Sequence, residues 1–302
     1  MEVAAGITMI DTRLWGLDGL TASYLVGGTQ PALVETGAQT SVPTLLAGLR
    51  AAGLGPHDLA WIVLTHVHLD HCGGVGDLVQ EFPKATVVVH ERGAPHLVDP
   101  TRLVTGSAAV YGMHMPKYGG LTAVDEGRIM VVPDGGRISL GASRELRFVD
   151  APGHARHQMA VVDESSGTVM AGDALGVQLP GGGMYPAIPP PEFDLDQAID
   201  TLHRLADLQP ETLLLGHFGP VDDPLEAIDL AIAQQSTAGD AAWSAWTEVG
   251  AEGIADAVNR ALPLDDAVRD PAALEIWARL GWAENNVGGL TRWAERRAAA
   301  TA

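Results

Sequence analysis

The chain has 302 residues, 46% hydrophobic and 19% charged, with a formal net charge of −20 at pH 7. That length buries a full core in one large domain or two ordinary ones, and the acidic balance repels phosphate backbones, so no nucleic-acid partner is expected. No apolar stretch approaches the ~20 residues of a membrane helix, and Met1-Glu2-Val3-Ala4 lacks the basic start and apolar core of an export signal, so no membrane partner and a cytoplasmic location are expected.

Apolar runs predict short strands over residues 21–26, 32–35, 59–64, 85–90, 145–150, 159–163, 168–171 and 212–215. Ser41-Val42-Pro43 opens a predicted helix continued by Leu45, Leu46 and Leu49, with proline in the first turn where its missing N–H does no harm. A second predicted helix runs from Asp194 to Leu208, with Leu195, Ile199, Leu202 and Leu205 on one face. Strands alternating with such helices imply a layered α/β or α+β domain. Residues 175–193 contain Leu179-Pro180-Gly181-Gly182-Gly183-Met184-Tyr185-Pro186, which predicts a long irregular loop of the kind that borders a site. Beyond Asp222 strand signals stop, and Trp243, Trp246, Trp277, Trp282 and Trp293 sit in helical periods. The expected organisation is a main domain over 1–221 and a helical extension over 222–302 packed on it, since so much aromatic area is not left in water.

The chemistry concentrates at His66-Val67-His68-Leu69-Asp70-His71, directly after the strand-like Trp61-Ile62-Val63-Leu64. Imidazole nitrogens and a carboxylate this close together suit zinc, iron or manganese. Residues two apart point to different sides of a helix, so His66 and His68 converge only on an extended segment, expected to turn sharply at Gly73-Gly74. The single cysteine, Cys72, excludes an internal disulfide and suits a reducing compartment; its place beside His71 makes it a candidate neighbour of a metal site, with a buried, inert thiol as the plainer reading. Three further candidates follow predicted strands: Gly153-His154, Gly172-Asp173 and Gly216-His217. Each alone is an ordinary turn residue; together with the histidine cluster they suggest strand ends converging on one rim.

His66-x-His68-x-Asp70-His71, then His154, Asp173 and His217, in this order, resemble the metallo-β-lactamase-fold hydrolases, in particular the branch that includes glyoxalase II. The resemblance covers about Gly6 to Gly219. It implies an α+β fold, an αββα sandwich of two mixed sheets flanked by helices, here followed by a C-terminal helical extension. It also implies two divalent metal ions, zinc first, with iron or manganese as alternatives: His66, His68 and His154 on one ion, Asp70, His71 and His217 on the other, and Asp173 between them. Two such ions share a water and ionise it near neutral pH, which implies hydrolysis of a small ester, thioester or lactone by a bridging hydroxide. Asp70 would additionally steer a proton to the leaving group.

Two positions depart from the family pattern. Glu35-Thr36-Gly37 stands where the family usually has an aspartate, and in Gly153-His154-Ala155-Arg156-His157 the second histidine comes one residue early. His157 is therefore expected to hold a ligand or shape the rim, or simply to pack, and not to ligate. On the substrate side His114, Tyr111, Tyr118 and Tyr185 are candidates by residue type and position, with surface or packing roles as the plainer alternative. The Trp-rich helices could cap an acyl pocket or form a homodimer face. Flavodiiron-like redox enzymes and phosphodiesterases or nucleases share this fold; the missing flavin-domain pattern and the acidic charge weigh against them.

Overall fold

The structure is a computed structural model that describes residues 1–178, 181–268 and 270–301. Leu179 and Pro180 of the Gly/Pro-rich stretch lie outside the described residues. The chain forms two compact units: Met1–Asp150, His157–Gly172 and Glu211–Pro220 make the first, and Ala151–Arg156, Asp173–Pro210 and Val221–Ala302 the second.

In chain order the strands are β1 (Glu2–Ala4), β2 (Ile7–Asp11), β3 (Ala22–Val26), β4 (Ala32–Val34), β5 (Trp61–Val63), β6 (Thr86–His90) and β7 (Ile129–Val132), then β8 (Arg137–Gly141), β9 (Arg144–Asp150), β10 (Met159–Asp163) and β11 (Thr168–Met170). The short pair β12 (Val177–Gln178) and β13 (Met184–Tyr185) follows, then β14 (Thr212–Leu215) and β15 (Gly219–Pro220). β1 to β7 form one sheet in sequence order, and β15-β14-β11-β10-β9-β8 form the other. Both are mixed: β4, β5 and β6 run parallel with Val34, Val63 and Val88 in one row, and β11 pairs parallel with β14 within an otherwise antiparallel sheet. Apolar residues at every second position carry the first unit's core, with Tyr24, Val34, Val63 and Val88 of one sheet meeting Phe148, Met159, Val161 and Leu214 of the other. The parallel strands are buried on both faces, since Leu33, Ile62 and Val87 are as enclosed as their neighbours, which is why they read as unbroken apolar runs. This is the αββα sandwich with its C-terminal helices.

The eight expected strands all form, within a residue or two at most ends. The stretch expected to be irregular contains the β12–β13 pair, in which Val177 and Tyr185 face each other. Helix Val42–Ala51 starts with its proline in the first turn. In the second unit Asp194 caps helix Leu195–Asp207 through the Gln197 amide, and Asp223 caps helix Pro224–Val249 through the amides of Leu225 and Glu226. Helices Ile254–Ala261, Leu264–Ala267, Pro271–Leu280 and Trp282–Thr301 complete that unit. None of its five tryptophans is exposed; Trp277 is fully buried, and Trp243 and Trp293 meet edge to face with the Arg297 guanidinium over both rings.

Two side chains have measurable roles in the frame. The Tyr24 hydroxyl donates to the Leu215 carbonyl (2.5 Å) and accepts from the Gly219 amide (3.2 Å). Tyr24→Phe leaves both groups buried and unsatisfied, so we expect a loss of about 1–3 kcal/mol in urea denaturation. Glu164 accepts from Arg137 (2.9 and 3.1 Å) and Arg147 (2.7 Å). Those bonds, Arg137 first, hold its carboxyl at about 2, below the ordinary 4.5. A carboxyl lowered on folding stabilises the protein above its unfolded value and loses that contribution as the pH falls from about 4.5 towards 2. Because Glu164 is half exposed, water screens the pair and the contribution is at most ~1 kcal/mol. Wild type should therefore exceed Glu164→Gln in stability at pH 6 by that amount, and the gap should close near pH 2.

Candidate metal centre

After β5 the first unit's chain passes through His66 to His68, whose backbone is extended, then enters one helical turn, Leu69–Cys72, that carries Asp70 and His71. The His66 ring lies 4.6 Å from His68 and 4.2 Å from His71 between centroids, and His71 lies 5.0 Å from His217, which follows β14. Gly73 and Gly74 form a turn of right-handed helical backbone between helices Leu69–Cys72 and Val75–Glu81, and the change from extended to helical backbone comes earlier, at His68. The glycines also serve close approach, since a Cβ on Gly73 would sit 2.7 Å from the Gln39 amide nitrogen.

Asp70, His71 and His217 each present a ligand atom within 4.8 Å of the other two, and all three are buried. Asp70 Oδ2 lies 3.3 Å from His217 Nε2 and 3.8 Å from His71 Nε2. Burial pushes the Asp70 carboxyl up, but His71 and His217, with His68 behind them, outweigh it and hold the group well below the carboxylate range. The far nitrogens fix the tautomers. His217 Nδ1 is 2.8 Å from the Leu20 carbonyl, which can only accept, so Nδ1 carries a proton and Nε2 is the nitrogen left to give its lone pair to a cation. His71 Nδ1 makes the same contact, 3.1 Å, with the Glu35 carboxylate. Lone pairs on Nε2 facing an ionised carboxylate are the donor set a divalent cation takes.

The second unit repeats this arrangement. His154 Nδ1 lies 2.9 Å from the Ala187 carbonyl, and His154 Nε2 lies 3.6 Å from Asp173 Oδ2, both residues buried. Helix Leu195–Asp207 holds the segment before His154: Thr201 donates to the Pro152 carbonyl (2.5 Å), and the Asp194 amide to the Gly153 carbonyl (2.8 Å).

Of the remaining sequence candidates, His157 accepts from the Val67 amide at Nδ1 (3.3 Å), which puts its proton on Nε2 and makes that nitrogen a donor. Tyr111 donates to Asp70 Oδ1 (3.2 Å) and stacks on Tyr118 at 3.9 Å. Trp15 meets Tyr118 edge-on and lies 4.9 Å from the His114 ring, with the Lys117 ammonium over it. Tyr111, Tyr118, Trp15 and His114 thus form one aromatic wall that begins at Asp70. Tyr185 is buried in the second unit, with its hydroxyl on the Leu262 carbonyl and Trp277 edge-on. Cys72 is a buried thiol pushed well up by burial, then by the charges of Glu35 and Asp70, and so stays protonated.

Sequence reasoning missed the groups that aim the donors. Glu35 was visible as an unusual residue, and the structure shows its use: one oxygen accepts from the Thr65 amide (3.1 Å), leaving the other for His71. The Leu20 and Ala187 carbonyls leave no residue-type signal at all.

A sequence profile described as the metallo-beta-lactamase superfamily matches residues 16–217. The chain belongs to the metallo-beta-lactamase superfamily. Members of this superfamily bind divalent metals, and the His/Asp cluster described above fits such a site. This member is 31% identical over 167 residues to the metallo-beta-lactamase fold-containing protein ST1585 of Sulfurisphaera tokodaii, covering 54% of this chain and 62% of ST1585. It thus spans less than two thirds of that relative in sequence. It is 33% identical over 182 residues to the uncharacterized protein YobT of Bacillus subtilis, covering 58% of this chain and 73% of YobT. To the acyl-coenzyme A thioesterase MBLAC2 of Gallus gallus it is 30% identical over 186 residues, 57% of this chain and 64% of that one. The crystal structure of ST1585 superimposes with a TM-score of 0.70 at 24% identity, covering 94% of this chain and 98% of ST1585, which is a likeness of fold.

Proposed function

We propose that the protein is a dinuclear metal-dependent hydrolase of a small ester, thioester or lactone. The observation that carries this reading is the buried Asp70–His71–His217 cluster with both imidazoles locked as Nε2 donors. In this reading Asp70, His71 and His217 would hold one ion and His66, His68 and His154 the other, with Asp173 as a further ligand, zinc the first expectation and iron or manganese the alternatives. When bound, such a pair lowers the pKa of water towards neutrality and polarises a carbonyl oxygen.

The protein's own groups do the rest. Asp70 stays ionised with its Oδ1 held by the Tyr111 hydroxyl, and from there it would steer a proton to the leaving oxygen or sulfur. The wall of Trp15, Tyr118 and His114 would hold the acyl or leaving group, with Tyr118 and His114 as its substrate contacts. The thioester arm draws support from the likeness to an acyl-coenzyme A thioesterase. His157, as an Nε2 donor, holds or orients neighbouring groups. A cytoplasmic location goes with this reading; among the described residues, no helix is long and apolar enough to cross a membrane.

The test is turnover of a panel containing acyl thioesters, lactones, carboxylic esters, phosphodiesters and a β-lactam, before and after chelation. Chelator-sensitive turnover of a thioester, ester or lactone is the expected result. Phosphodiester turnover alone would replace the reading with a phosphodiesterase, and bound iron with oxygen or nitric oxide reduction would replace it with a redox enzyme.

A further inference from the structure

Two buried side-chain amides on the C-terminal helices hold the backbone beside both donors of the second unit. Asn286, on helix Trp282–Thr301, is 1% exposed. Its Oδ1 accepts from the Ile188 amide (2.8 Å) and its Nδ2 donates to the Pro186 carbonyl (2.8 Å). The residue between those two contacts is Ala187, whose carbonyl receives His154 Nδ1. One turn later the helix lies directly on the same segment, because a Cβ on Gly289 would overlap the Ile188 carbonyl. On helix Pro224–Val249, the buried Gln235 donates to the Ala174 carbonyl (3.1 Å), one residue past Asp173. Its neighbour Gln234 donates to the Met184 carbonyl (2.9 Å), so the same helix also holds β13.

An amide buried among apolar helices loses its hydration and gains little in stability over a leucine of similar size. A primary amide can, however, accept and donate at once across a single intervening residue, which fixes that residue's carbonyl direction. A carbonyl so fixed sets the tautomer and ring plane of the imidazole bonded to it.

We infer that Asn286 is a positioning residue of the metal centre, acting through the Ala187 carbonyl on His154, and that Gln235 positions Asp173 less directly, by a single bond to the carbonyl of the next residue, Ala174. The C-terminal helices thereby become part of the site's machinery. This rests on the reading of His154 and Asp173 as metal ligands.

The test titrates the full-length, metal-free protein with Co²⁺, following visible absorption, and compares wild type, His154→Ala, Asn286→Leu, Gln235→Leu and Trp243→Leu. Wild type should take two equivalents and His154→Ala should lose one. Asn286→Leu should weaken one equivalent by about 10–100-fold and change its spectrum, leaving the other unchanged. Trp243→Leu, which removes ring contacts in the same helical layer, should lower stability while keeping both equivalents and the wild-type spectrum. Nitrogen-15 NMR of the metal-free proteins gives an independent reading: His154 should be the Nδ1–H tautomer in wild type and a mixture in Asn286→Leu. Wild-type affinity, spectrum and tautomer in Asn286→Leu would overturn the inference while leaving the metal reading intact. If Asn286→Leu does not fold, Gln235→Leu decides by the same titration: a weakened equivalent supports the inference, and two unchanged equivalents overturn it. A wild-type chain that takes up no cobalt, or His154→Ala that keeps both equivalents, would instead sink the ligand assignment itself.

Discussion

Asp70→Asn is expected to lower kcat/KM at least about a hundredfold on whichever thioester, ester or lactone the protein hydrolyses, and to release metal from the half of the site shared with His71 and His217. Asparagine keeps the shape of the side chain and can still accept from Tyr111. It replaces the carboxylate 3.3 Å from His217 Nε2 and 3.8 Å from His71 Nε2 with an uncharged amide. Losing a group that merely supports a ligand costs about 10–100-fold in metal affinity or activity, and losing the only anion of this three-donor cluster should exceed that. Steady-state kinetics with elemental analysis of the same preparation make the check. Wild-type metal content with kcat/KM within tenfold of wild type would mean that Asp70 is an ordinary buried acid.

The largest stability effect should come from Gly153→Ala. Gly153 has φ of +133°, a conformation that side-chain-bearing residues rarely adopt, and an added Cβ would overlap the backbone of Ala198 in helix Leu195–Asp207. The helix cannot simply retreat, because the Asp194 amide and the Thr201 hydroxyl bind the carbonyls of Gly153 and Pro152. Backbone strain of about 1–3 kcal/mol and overpacking of similar size act together, so a loss of about 3 kcal/mol is expected in urea denaturation. Metal content should fall as well, since His154 is the next residue. A loss under ~1 kcal/mol would show that this turn relaxes freely.

The strands readable in the sequence are those whose side chains are enclosed. Val87, Val88 and Val89 of β6 are all fully buried, so they form an apolar run that only a central strand explains. The edge strands β7 and β8 carry no clear sequence signal because their faces meet water: Met130 and Val131 are exposed, and β8 alternates buried Ile138 and Leu140 with less buried neighbours over only five residues. The pair β12–β13 is too short, and too close to glycines, to carry a pattern. In the candidate site, histidines and aspartates after apolar runs were legible because their residue types are chemically specific. Their supports were not: the carbonyls of Leu20 and Ala187 belong to apolar residues whose side chains say nothing about where the backbone points. Glu35 stood out by type, but its two contacts, 30 and 36 residues away in sequence, exist only once β4 and β5 lie side by side. The division of the donors also follows from three-dimensional packing, since His154 and Asp173 belong to the unit that holds the C-terminal helices.

The most direct measurement is anomalous X-ray diffraction from crystals of protein purified without added metal, collected on both sides of the zinc, iron and manganese edges. Two peaks are expected, one at about 2.0–2.2 Å from Nε2 of His71, Nε2 of His217 and a carboxylate oxygen of Asp70, the other on His66, His68 and His154. Density with no anomalous scatterer within coordinating distance of His71 and His217, in a protein that still hydrolyses its substrate, would contradict this reading.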